Sequence, residues 1–298
     1  MNFSLRQKGP GAQRMNAPDK AFLNREYNNR ELVPEHPRYF AHWQQSSAQA
    51  RRRMSSQLDL AYGTMPGEKL DLFPARKGDG SCFMFIHGGY WRSLDKSDFS
   101  FLAPALVDAG ISLAVVNYDL CPRVSIEEIV QQMLRASRWL WLHAEDYGMD
   151  QDRLYVGGHS AGGHLAAMMM CAQWPGFDRR LPKDLWKGAL AISGVYDLRP
   201  LVEVDFLQPD LRLDEASAAR VSPALMPPAT RCPVMTCVGG DESSEFHRQN
   251  ALIGERWRAA FAGDIPMPGT HHFSVLDGLA EQASPLFAGL RKLMKLDQ

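Results

Sequence analysis

The chain has 298 residues, 45% hydrophobic and 22% charged, with a formal net charge of -1 from 33 basic and 34 acidic side chains. This composition suits a globular chain with a sizeable core and excludes wholesale disorder and fibrous repeats, while the balanced charge lacks the basic excess of a nucleic-acid binder. No run of about 18 apolar residues occurs, so no transmembrane helix is expected.

Residues 1–17 carry basic side chains but no apolar h-region, and read as a flexible lead rather than a signal peptide. Asp19 is placed to cap a short helix over AFLNREYNN, and RYFAHWQQSSAQARRRMSSQ reads as a second. Residues 18–57 are therefore expected to form a helical segment packing on the core, with Arg51, Arg52 and Arg53 on a solvated face.

From residue 58 to 298 the rhythm is that of one domain. LDLAYG and KLDLFPA flank a loop with Pro66 and Gly67, which reads as a hairpin. SCFMFIHGG and ISLAVVNY are short continuous apolar runs, suited to strands buried on both faces. FSFLAPALVDAG between them reads as a helix ending at Gly110. Ser125 and Glu128 form a capping box at the start of a long amphipathic helix running to Gly148. RLYVGGHS is a strand and AGGHLAAMMMCAQ a helix; GALAISG, PVMTCVGG and DIPMPG are further strands. SSEFHRQNALIGERWRAAFAG is a helix between the last two, and SPLFAGLRKLMKL closes the chain as another. Strands alternating with helices predict an α/β fold, a mostly parallel central sheet with helices on both faces. Residues 195–230, rich in proline and without a clean period, read as a short lid insertion near a site.

The five cysteines, Cys82, Cys121, Cys171, Cys232 and Cys237, are odd in number, form no CxxC pair and lie mostly in apolar runs. A reducing, cytoplasmic setting without a disulfide framework is expected. The spacing of Cys232 and Cys237 does not suit zinc, and there is no HExxH or clustered ligand set, so neither metal nor cofactor is expected.

Gly158-His159-Ser160-Ala161-Gly162 fits G-x-S-x-G between a strand and a helix. The turn is so tight that its serine takes a strained conformation and neighbours with a β-carbon would clash. Its hydroxyl is raised to the top of the sheet, and the Ala161 amide stands at a helix N-terminus, where it favours an anion. His87-Gly88-Gly89-Tyr90-Trp91 follows another strand, where an HGGG-type loop would aim backbone amides at a reacting carbonyl. His87 is read as a brace for that loop. A serine needs a base, and chain order places an acid and then a histidine downstream. Asp241, the first acidic residue off the strand PVMTCVGG, is favoured as the acid over its neighbour Glu242. His272 is favoured as the base over His271, and His247 is read as a surface residue of a helix.

These motifs resemble those of α/β-hydrolases of the esterase/lipase group, and HGGYW is similar to the HGGxW motif of kynurenine formamidases (arylformamidases). The resemblance spans about residues 60–298. It implies a triad of Ser160, Asp241 and His272, and an oxyanion hole from the amides of Gly89, Tyr90 and Ala161. The activity it implies is hydrolysis of an aryl formamide, N-formylkynurenine to kynurenine and formate. A carboxylesterase acting on small acyl or aryl esters is the alternative, and an inactive hydrolase fold used as a binding module a third. Tyr90 and Trp91 in the HGGYW loop and Tyr196 and Phe206 in the 195–230 segment, with Trp91 and Tyr196 first among them, are candidates to hold an aryl substrate. Arg199 and Glu245 are the charged candidates for a substrate's amino-acid end, with neither preferred. The expected partner is a small-molecule substrate, with no nucleic acid and no membrane; a homodimer is the one further partner entertained.

Overall fold

The computed structural model describes residues 19–296, so the expected flexible lead at 1–17 lies outside the described residues. Three helices open the described chain: α1 (Lys20–Glu26), α2 (Asn29–Leu32) and α3 (His36–Arg53). Strands β1 (Gln57–Ala61), β2 (Lys69–Phe73) and β3 (Cys82–Ile86) follow, then α4 (Ala103–Asp108), β4 (Ser112–Val116) and α5 (Ile126–His143). Next come β5 (Leu154–His159), α6 (Ala161–Met170), α7 (Trp174–Phe177) and β6 (Ala189–Ile192). Short helices α8 (Gln208–Leu211) and α9 (Glu215–Arg220) precede β7 (Val234–Gly239), α10 (Ser244–Arg256), β8 (Phe261–Met267) and α11 (Pro285–Leu293).

The eight strands form one sheet in the order β1-β2-β4-β3-β5-β6-β7-β8. The β1/β2 hairpin and the β2/β4 pair are antiparallel, and every later pairing is parallel. This is the α/β-hydrolase architecture.

Strand periodicity divides the core. Cys82, Met84 and Ile86 of β3 point to one face, with Ile129 and Met133 of α5 and Leu165 of α6. Phe83 and Phe85 point to the other, with Leu106 of α4, Leu290 of α11 and Trp43 of α3. Both faces are covered, so β3, β4 and β5 are buried at every residue and read as unbroken apolar runs. Each fully buried large aliphatic or aromatic side chain contributes on the order of 1.5–3 kcal/mol.

Several boundaries differ from expectation. Asp19 makes no side-chain cap, and α1 starts on backbone bonds alone. Ser125 caps α5 by accepting from the Glu128 amide, but the Glu128 carboxylate turns outward to Arg135 instead of closing the box. Helix α10 stops at Arg256, not in the AAFAG stretch, and β8 begins at Phe261. The reason is Trp257, which is buried and donates its indole N–H to the Met226 carbonyl, so the chain turns inward there. No described helix is long and apolar enough to cross a membrane.

Candidate active site

The loops after β3, β5, β7 and β8 meet above the carboxyl ends of the strands, where open α/β sheets gather functional groups. Ser160 sits between β5 and α6 at φ 57°, ψ -117°, outside the regions an L-residue prefers. Its amide donates to the Ile192 carbonyl at 2.8 Å, and its carbonyl accepts from His164 at 3.1 Å, so both ends of the strained residue are tied down. The flanking glycines make room. A β-carbon on Gly162 would stand 1.9 Å from the Ile86 carbonyl oxygen, and one on Gly158 would stand 2.4 Å from that of Gly162.

The HGGYW loop passes over the serine: a β-carbon on Gly88 would lie 3.1 Å from that of Ser160. Gly89, Tyr90 and Trp91 all have positive φ, at 105°, 50° and 56°. The Gly89 carbonyl accepts from the Arg92 and Ser93 amides, each at 3.1 Å, which holds its peptide in the tight turn. Among the described residues, the amides of Gly89, Tyr90 and Ala161 donate to no protein acceptor. Three unmet donors in the turns next to a raised serine are what an oxyanion needs. His87 braces the loop. Its Nδ1 donates to the Gly88 carbonyl at 2.8 Å, and its ring stacks on Tyr118 with centroids 4.3 Å apart. Burial pulls its pKa below the ordinary histidine value.

His272 lies 4% exposed after β8 and lines the same cavity as Ser160. Its Nδ1 is 2.6 Å from Glu242 Oε2, a carboxylate wholly shielded from solvent. Here the structure corrects the choice of Asp241. The β7 strand ends in a turn in which the Glu242 amide donates to the Gly239 carbonyl at 3.1 Å. That turn folds the Glu242 side chain back under the sheet edge, where Oε1 accepts from the Gly239 amide at 2.7 Å and from the Ser193 hydroxyl. Asp241, one residue earlier, faces solvent and contributes its amide, which donates to the Thr270 carbonyl at 2.9 Å. His271 turns the other way, with Nδ1 accepting from the Phe273 and Ser274 amides. His247 is exposed on α10. His159 donates through Nε2 to the His272 carbonyl at 2.7 Å, and burial holds its pKa well below the usual value.

Of the four candidate rings, Tyr90 and Phe206 line the cavity, and Trp91 and Tyr196 do not. Trp91 is fully buried behind the loop and meets His164 edge-on, with centroids 5.0 Å apart. Tyr196 is likewise fully buried, packed over Gly194. Neither lines the cavity. The rings that do are Tyr90 of the loop, Phe206 of the 195–230 segment, Phe273, and Phe40 and Trp43 of α3. Sequence reasoning missed the α3 residues because the opening helices carry no motif. The available signal was the apolar stripe of Tyr39, Phe40 and Trp43 on an otherwise polar helix. Asn28, Asn29 and Arg30 complete that side, Arg92 the other, and no carboxylate side chain lines the cavity among the described residues. The described residues contain no group of three or more His, Cys, Asp or Glu arranged to hold a metal ion.

Residues 70–222 match the BD-FAE family model. The kynurenine formamidase of Salmo salar is 30% identical over 262 residues, covering 84% of this chain and 86% of its own. That of Danio rerio is 32% identical, covering 78% and 80%. A crystal structure from a Silicibacter species, provisionally assigned as a thioesterase, superposes with a TM-score of 0.80 at 32% identity over 89% of this chain and 97% of that one.

Proposed function

Because the chain belongs to the BD-FAE family of α/β-hydrolases, with kynurenine formamidases among its relatives, we propose that this hydrolase uses Ser160 to cleave an aryl formamide, with N-formylkynurenine as substrate. The observation that carries the reading is the buried Glu242–His272 pair at the wall of an aromatic cavity that Ser160 shares. His272 takes the proton of the Ser160 hydroxyl as its oxygen attacks the formyl carbon. The amides of Gly89, Tyr90 and Ala161 receive the oxyanion. His272 then hands the proton to the departing aniline nitrogen, leaving Ser160 as its formate ester. A water, deprotonated by His272, hydrolyses that ester to formate and restores the serine. Glu242 keeps the Nδ1 proton on the imidazole and offsets the charge of the imidazolium. The aryl leaving group finds rings to pack against in the cavity wall.

The provisional thioesterase assignment of the Silicibacter structure favours a second reading, an esterase acting on small acyl or aryl esters with the same residues. Steady-state hydrolysis of N-formylkynurenine against a panel of short-chain aryl esters decides between them. The formamidase reading expects the highest kcat/KM on the formamide. An ester preferred over it by orders of magnitude would transfer the assignment to the esterase.

A further inference from the structure

We propose that Arg30, with Asn29 beside it, binds a carboxylate on the substrate's leaving group and so sets a preference for substrates that carry one. This rests on the aryl formamide reading and adds the residues that bind the acid end of the substrate.

Arg30 stands on the rim of the cavity that holds Ser160 and His272. Its guanidinium carbon lies 5.6 Å from the centroid of the Phe40 ring, and its one polar protein contact is a long one, 3.4 Å to the Ser93 hydroxyl. No described carboxylate comes within ion-pair distance of it. The other arginine of the wall differs, because Arg92 is committed to Asp210 at 2.6 Å and to the Phe206 carbonyl at 2.7 Å. The two cations face one cavity with no carboxylate in its wall, and the nearby charge of Arg92 adds to the desolvation that lowers the Arg30 pKa. A second donor is unmet in the same wall. Asn29 is 5% exposed, and its Nδ2 has no hydrogen-bond partner among the described residues. A carboxylate answers both, because it accepts two hydrogen bonds and matches the guanidinium fork. The charged residues singled out earlier are occupied elsewhere: Arg199 pairs with Asp197 at 2.7 Å, and the buried Glu245 with Arg248 at 2.7 Å and Tyr27 at 2.8 Å. With donors but no acidic partner in the wall, the site reads the carboxylate of an amino acid and not its ammonium.

The test uses two matched pairs. One is a formanilide with an ortho keto-acid side chain against o-formamidoacetophenone. The other is o-acetoxyphenylpropanoate against o-ethylphenyl acetate. Wild type is expected to favour the acid in each pair, and Arg30→Ala to lower the acid-over-neutral ratio of kcat/KM on the order of ten- to hundredfold, mostly through KM. Arg30→Lys keeps the charge without the fork and should recover part of the ratio. Arg30 lies at the surface, so both variants should melt at the wild-type temperature. An unchanged ratio in Arg30→Ala, or no preference for the acids in wild type, overturns the site. Failure of both formamides with turnover of the acetates sinks the formamide reading, and the acetate pair still decides the role of Arg30.

Discussion

Glu242 holds His272 with one carboxylate oxygen and is itself held by the Gly239 amide and Ser193 through the other, so the imidazole is oriented by a group that has no freedom to turn. Glu242→Gln keeps the shape but offers the imidazole the wrong hydrogen-bond partner. It should lower kcat on the order of 10⁴-fold, the scale seen when a triad acid is replaced by its amide. Asp241→Asn, altering an exposed side chain, should leave kcat near wild type. Measured kcat values in the reverse order would restore Asp241 as the acid. That Ser160 and His272 would come to one cavity was legible because each position needs only local chemistry: a glycine-flanked turn, and a histidine after the last strand. The choice between two adjacent acids was not legible, since one residue of turn geometry decides which carboxylate folds under the sheet edge. Trp91 and Tyr196 misled for a related reason. An aromatic residue beside a motif has the composition of a pocket wall, but burial is a tertiary property.

The HGGYW loop works as a unit because its three positive-φ residues are braced from several sides. His87 stacks beneath it, the Tyr90 hydroxyl donates to the Tyr27 carbonyl of the N-terminal segment at 2.6 Å, and Arg92 reaches Asp210 in α8. At Gly89, φ is 105°, and a β-carbon would stand 2.1 Å from the Ser93 carbonyl oxygen, so the turn cannot accept one without moving the amide. Gly89→Ala should lower kcat on the order of 10²–10³-fold with a smaller change in KM, the cost of one misaligned oxyanion donor. Acylation by a fluorophosphonate, whose oxygen needs the same amides, should slow in parallel. Reaction at the wild-type rate would make the loop a structural turn only. The parallel strands and the hairpin were legible as apolar runs and turn residues. Helix ends were less so, because tertiary burial, as at Trp257, ends α10 where local propensity does not.

The molecule closes its site with its first elements as well as its last. Helix α3 places Phe40 and Trp43 in the cavity wall, and both rings pack on Phe273, next to His272. Besides His272, the same long-range economy buries His87, His159 and His164, and burial lowers the pKa of these three, that of His164 to about 4. Between that value and the unfolded pKa near 6.5 the unfolded chain binds a proton that the folded chain refuses, so stability is present at neutral pH and falls as pH drops through that window. Each such group contributes a slope of up to about 1.4 kcal/mol per pH unit. His164 donates to the Val221 carbonyl at 2.7 Å, tying α6 to the 195–230 segment, so His164→Gln should lose stability at pH 7 yet show a shallower fall towards pH 5 in urea midpoints. Parallel pH profiles for the two proteins would mean that His164 titrates in the fold as it does in water. The central claim is that Ser160 carries the formyl group of N-formylkynurenine. It is tested most directly by the rate of formate release from that substrate in wild type and in Ser160→Ala. We predict ready turnover by wild type and a loss on the order of 10⁶-fold in kcat in the variant, with an unchanged melting temperature. A variant that kept even about a tenth of wild-type kcat, against that expected loss, would contradict it.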